Sequence, residues 1–102
     1  MVAEISTVKV ALGESPQAFQ WAQKIAARIK EAYPGWKMHV LRPVCGDHDA
    51  EILFVSLGPS LAEFEQKQKK QHEDEKWQAL VKEFRESHWK VRLSREIYTV
   101  VE

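Results

Sequence analysis

The sequence predicts one α+β domain in the order β-α-β-β-α-β: a four-stranded antiparallel sheet with its helices on one face. Two observations carry this reading. Four segments alternate in polarity or run apolar at strand length, and two apolar stripes at helical spacing separate the first strand from the second and the third from the fourth. Turn chemistry falls between these segments.

The first strand is expected over Glu4 to Leu12, with Val8, Val10 and Leu12 on one side and Ile5, Thr7, Lys9 and Ala11 on the other. Ser15-Pro16 then reads as a helix start, with Ser15 as N-cap and Pro16 at the first helical position. Phe19, Ala22, Ile25, Ala26, Ile29 and Tyr33 form its apolar stripe, and Pro34-Gly35 stops it. Trp21 lies off that stripe, so it either packs in the core or is simply exposed. Trp36 to Val44 alternates as the second strand, and Pro43 places it at an edge or at its end. Gly46 to Asp49 is turn chemistry leading into a third strand, Glu51 to Leu57, that is apolar on both faces. Gly58-Pro59-Ser60 ends this strand, and Ser60-x-x-Glu63 is a capping box opening the next helix. Leu61 and Phe64 give that helix a short apolar footing, residues 65–76 are wholly polar, and Trp77, Leu80, Val81 and Phe84 restore the stripe. That pattern fits two helical pieces, or one long helix whose middle leaves the core. The last strand is expected over Trp89 to Val101.

Right-handed crossovers arrange these elements as a ferredoxin-like sheet with the first and third strands central. The face away from the helices is then expected to carry Ile5, Leu41, Ile52, Phe54 and Tyr98, beside Thr7, Lys9 and His39. So much apolar surface calls for cover, and a two-fold homodimer packed sheet to sheet supplies it.

Composition narrows the function classes. The chain of 102 residues fits a single domain, 1–102. Lys plus Arg equals Asp plus Glu at 15 each, so there is no basic field for nucleic acid or for an anionic membrane surface. Cys45 is the only cysteine, which excludes an intrachain disulfide. Neither a signal peptide nor a bilayer-spanning apolar run is legible, so the expected compartment is the cytoplasm.

The run from Glu75 through Trp77, Leu80, Val81 and Phe84, followed by Trp89, Val91, Leu93, Arg95, Ile97 and Tyr98, resembles the C-terminal half of dimeric α/β-barrel proteins. Those include the antibiotic-biosynthesis-monooxygenase-like and NIPSNAP-like groups, and the element order extends the resemblance over almost the whole chain. The resemblance implies a homodimer with facing sheets and a ligand cleft between helices and sheet in each protomer. Members range from cofactor-free oxygenases and haem-degrading enzymes to proteins of no known activity. The haem-degrading members use an Asn, a Trp and a helix His; this chain has no Asn, so no catalytic residue carries over.

Candidate residues follow from position and type. A ligand site is assigned to Trp77, Tyr98, Phe54 and Arg95. Trp77 and the other large aromatics are suited to an apolar pocket or simply to the core, and Arg95 to an anionic group or to pairing across strands. His39 on the second strand and His72 on the polar helix segment are the candidates for proton transfer. The simpler reading of His39 is a hydrogen-bonded interface residue. His72 lacks the second His four residues on that a zincin helix requires, since Lys76 stands there. Cys45, Asp47, His48 and Asp49 mix soft and hard ligand types around a turn, and no metal or other cofactor is expected from them. The polar segment 65–76 is read as a solvated helix face, or else as a lid over the cleft. Two functions remain open: a homodimeric module that binds a small apolar or aromatic ligand or a partner, and a small cofactor-independent monooxygenase acting on an aromatic or ketone.

Overall fold

The structure is a computed structural model that describes residues 1–11, 13–43 and 51–101. Its elements are β1 (Val2–Val10), α1 (Ser15–Ala32), β2 (Lys37–Leu41), β3 (Glu51–Gly58), α2 (Leu61–Glu73), α3 (Glu75–Glu86) and β4 (Lys90–Thr99). The strands form one antiparallel sheet in the order β2-β3-β1-β4, with β1 and β3 central as predicted. The principal extents are 38 × 35 × 19 Å. The shortest is the thickness of one sheet and one helix layer, so the other sheet face is left open. Among the described residues, no helix is long and apolar enough to cross a membrane.

Pairing with β1 sets which side of β3 turns inward. Val8 lies opposite Ile52 and Ser6 opposite Phe54, so Ile52 and Phe54 share the helix-facing side with Val8 and Val10. Both are nearly inaccessible, at 2% and 5% exposure. The expectation that Ile52 and Phe54 lie on the open face is therefore wrong. A strand apolar on both sides carries no period-two signal of its own, and its register with a neighbour decides. The open face instead carries Ile5, Leu53, Val55 and Leu57 from the central strands, flanked by Leu41 and His39 on β2 and by Tyr98 on β4.

On α1, one expectation is corrected and one alternative is decided. Ser15 is the first residue of α1 rather than its cap; Glu14 occupies the cap position without a side-chain hydrogen bond, and Pro16 sits in the first turn. Trp21 is buried at 9% exposure. Its place off the stripe left exposure open because the stripe was drawn against the sheet alone, whereas α1 also packs beside α3. Trp21 fills that second flank: its ring lies 4.9 Å from Phe84 and 5.6 Å from Trp89, and its Nε1 donates to the Leu80 carbonyl at 2.9 Å.

The polar stretch resolves into the end of α2, a break at Asp74, and α3. Asp74 has extended backbone, and its carboxylate caps α3 by accepting from the Trp77 N–H at 3.1 Å. Ser60 caps α2 through the Glu63 N–H, as its spacing predicts.

Candidate functional site

Between the helix-facing side of the sheet and the three helices lies a cavity of about 220 Å³. Its position follows from side-chain direction. Even-numbered residues of β1 point at the helices, so Glu4, Ser6 and Val8 form its floor. Phe54 and Met38 extend the floor to one side, and Leu93 and Arg95 to the other. The walls are largely aromatic: Trp21, Trp77 and Phe84 from the helices face Phe54 on the sheet. Trp21 meets Phe54 edge-on at 5.7 Å.

A charged cluster closes one end. Phe64, Lys67 and Gln71 of α2 recur at three- and four-residue spacing and share one helix face. Phe64 anchors that face in the core, which carries Lys67 inward to 3% exposure. Its Nζ donates to Glu4 Oε1 at 3.2 Å and lies 3.8 Å from the centre of the Trp36 ring. Arg95 reaches the same carboxylate from β4, its Nη2 donating to Glu4 Oε2. Burial pushes the Glu4 carboxyl up, but the two cations and their hydrogen bonds outweigh it and hold the group below the usual carboxylate range. Burial also pushes the Lys67 ammonium down, and Glu4 restores only part of that, so Lys67 sits below the usual lysine range.

The structure brings three of the four predicted ligand residues together: Trp77, Phe54 and Arg95 border the cavity. Tyr98 does not. It lies opposite Ala3 on the other sheet face, where its hydroxyl donates to Glu96 and that bond raises its pKa. His39, opposite Val55 on the open face, and His72, exposed on α2, are both outside the cavity lining. Lys9 lies opposite Arg92 on β4 and Glu51 on β3, while Arg95 turns to the other face and pairs with Glu4. Cys45, Asp47, His48 and Asp49 fall outside the described residues; among those described, no three His, Cys, Asp or Glu cluster as metal ligands.

Glu4 and Lys67 were missed in the sequence, although both left a signal. Glu4 shares the inward parity of Val8 and Val10 on a central strand, and a carboxylate there requires a buried cation. Lys67 continues the helical spacing set by Phe64. The segment 65–76 is thus not uniformly solvated, because Lys67 and Gln71 face inward.

A second polar cluster braces the helices. Asp74 accepts from Arg28 through both oxygens at 2.9 Å and from the Tyr33 hydroxyl at 2.8 Å. Burial raises the Asp74 carboxyl, but these donors and the Trp77 N–H prevail and hold it at about 2.

No family model and no curated protein matches the sequence. Solved structures do match in fold. An uncharacterised NIPSNAP domain protein from Burkholderia xenovorans superposes with a TM-score of 0.80 at 13% identity, covering 99% of this chain and 95% of that one. A NIPSNAP family protein from Agrobacterium tumefaciens gives 0.75 at 15% identity, covering 99% of this chain and 86% of that one. A proposed antibiotic biosynthesis monooxygenase from Deinococcus radiodurans gives 0.77 at 13% identity, covering 100% of this chain and 94% of that one. The order of elements, the sheet topology and these superpositions together give the chain the ferredoxin-like α+β fold of NIPSNAP-domain and antibiotic-biosynthesis-monooxygenase-like proteins.

Proposed function

We propose that this protein is a homodimeric small-molecule-binding module whose ligand occupies the cavity between helices and sheet. The observation that carries this reading is the cavity itself. Aromatic walls and a few convergent polar groups are the usual make-up of a ligand site. The ligand is a small, largely aromatic molecule, and the protein needs no cofactor to hold it.

The dimer is supported by apolar exposure on the sheet. Tyr98 on β4 and Leu41 on β2 are 47% and 46% exposed, and the open face between them is lined by Ile5, Leu53, Val55 and Leu57. A second copy of the chain would bury this surface, and no charge imbalance opposes it. A cytoplasmic setting is supported by the single cysteine.

Native mass spectrometry of the protein purified from cells tests both parts. The expected result is a dimer carrying extra mass that is released on denaturation. A monomer contradicts the assembly, and a dimer that stays bare when small aromatics are added contradicts the binding site.

A second reading is a cofactor-independent monooxygenase acting on an aromatic or ketone. It is favoured by the proposed monooxygenases among the similar structures and by a buried lysine at the cavity wall. Oxygen uptake on addition of the cavity ligand supports this reading, and binding without uptake leaves the module.

A further inference from the structure

We infer that the cavity selects aromatic ligands that carry one negative charge on oxygen, with Lys67 and Arg95 receiving the anion. This rests on the binding-module reading above and adds the charge of the ligand to it.

The cavity lining holds two cations, Lys67 and Arg95, and one carboxylate, Glu4. Every other lining residue is uncharged. Glu4 therefore balances one positive charge and leaves one unmatched, although the chain as a whole is neutral. Donors are left over as well. The Lys67 ammonium has three N–H groups and, among the described residues, one hydrogen bond, to Glu4. Its other close neighbours are the faces of Trp36 and Phe64, 3.8 and 5.5 Å from ring centre to Nζ. The Arg95 guanidinium has five donors, and among the described residues only Nη2 is engaged, also by Glu4.

The two cations differ in access, and the difference gives a direction of entry. The Arg95 side chain is 48% exposed, whereas that of Lys67 is 2% exposed. An anion would meet Arg95 at the rim and reach Lys67 where water is excluded and the attraction is stronger. The aromatic walls take the body of the ligand. They give no hold to a bare inorganic anion, and the surplus charge repels a cationic aromatic.

The test is titration of the full-length protein with 2-naphthoate and with 2-naphthamide, followed by tryptophan fluorescence. The two probes share ring and shape and differ in charge. A charge-assisted hydrogen bond in such a site amounts to about tenfold in affinity, so 2-naphthoate is expected to bind the wild type about tenfold tighter. Arg95→Met removes the surplus charge from a half-exposed position, leaves Glu4 paired with Lys67, and brings the two affinities together. Glu4→Gln adds to the surplus and widens the gap. Equal affinities in the wild type, or a preference that survives Arg95→Met, overturn the charge assignment while the binding module stands. If neither probe binds, the module reading and the charge assignment fall together.

Discussion

Replacing Asp74 with alanine removes four hydrogen bonds that meet on one carboxylate, and the cost can be worked from its partners. Loss of the cap on α3, the Trp77 N–H, costs about 1 kcal/mol. The Tyr33 hydroxyl is stranded at 4% residue exposure, which costs about 1 kcal/mol more. Arg28 loses both bonds to Asp74, but Glu31 lies 3.4 Å away and takes part of its charge, so this loss is also held to about 1 kcal/mol. The expected destabilisation is about 3 kcal/mol, a fall in Tm of roughly 12 °C or more for a domain of this size. Urea denaturation with matched m-values is the assay, and Asp74→Asn, which keeps a cap, should fall between the two proteins. Acid completes the test. The Asp74 carboxyl is held at about 2 against an ordinary 3.8, so its contribution is fully present above the ordinary value and is lost as pH falls through it toward 2. The alanine variant should show a shallower loss of stability over that window. A change below about 1 kcal/mol would refute the claim that Asp74 ties α1 to the α2–α3 junction.

Three further substitutions probe other parts of the fold. Gly58 lies under the Trp36 ring, and a Cβ there would run into the indole, so Gly58→Ala should destabilise by about 2 kcal/mol in thermal unfolding. Ser56 is 1% exposed, and its hydroxyl has no hydrogen-bond partner among the described residues, so Ser56→Ala should leave Tm unchanged or raise it. Val55→Asp places a charge at the centre of the open face; light scattering should then report a monomer with its helical circular dichroism intact, and an unchanged mass would remove the support for sheet-to-sheet assembly.

The architecture was legible because its signals are local. Alternation in β1, the helical stripes and the Ser60 cap each point to one element, and the apolar third strand points to a central position. What could not be read depends on pairing. Phe54 changes face with the register of β3 against β1, and nothing within Glu51 to Leu57 records that register. A charge at Phe54 therefore tests the core and not the dimer. Trp21 needed the knowledge that α3 lies beside α1, which is a tertiary fact. At the site, the aromatic residues and Arg95 were visible by type, while Glu4 and Lys67 were hidden because each looks solvated in its own segment. Only their meeting, 63 positions apart, accounts for either.

The most direct test of a ligand site in this cavity is a crystal structure of the protein saturated with 2-naphthoate. The predicted result places the naphthyl ring among Trp21, Phe54, Trp77 and Phe84, with its carboxylate toward Lys67 and Arg95. A ring bound elsewhere, or a cavity left without the ligand at saturation, would contradict the proposed function.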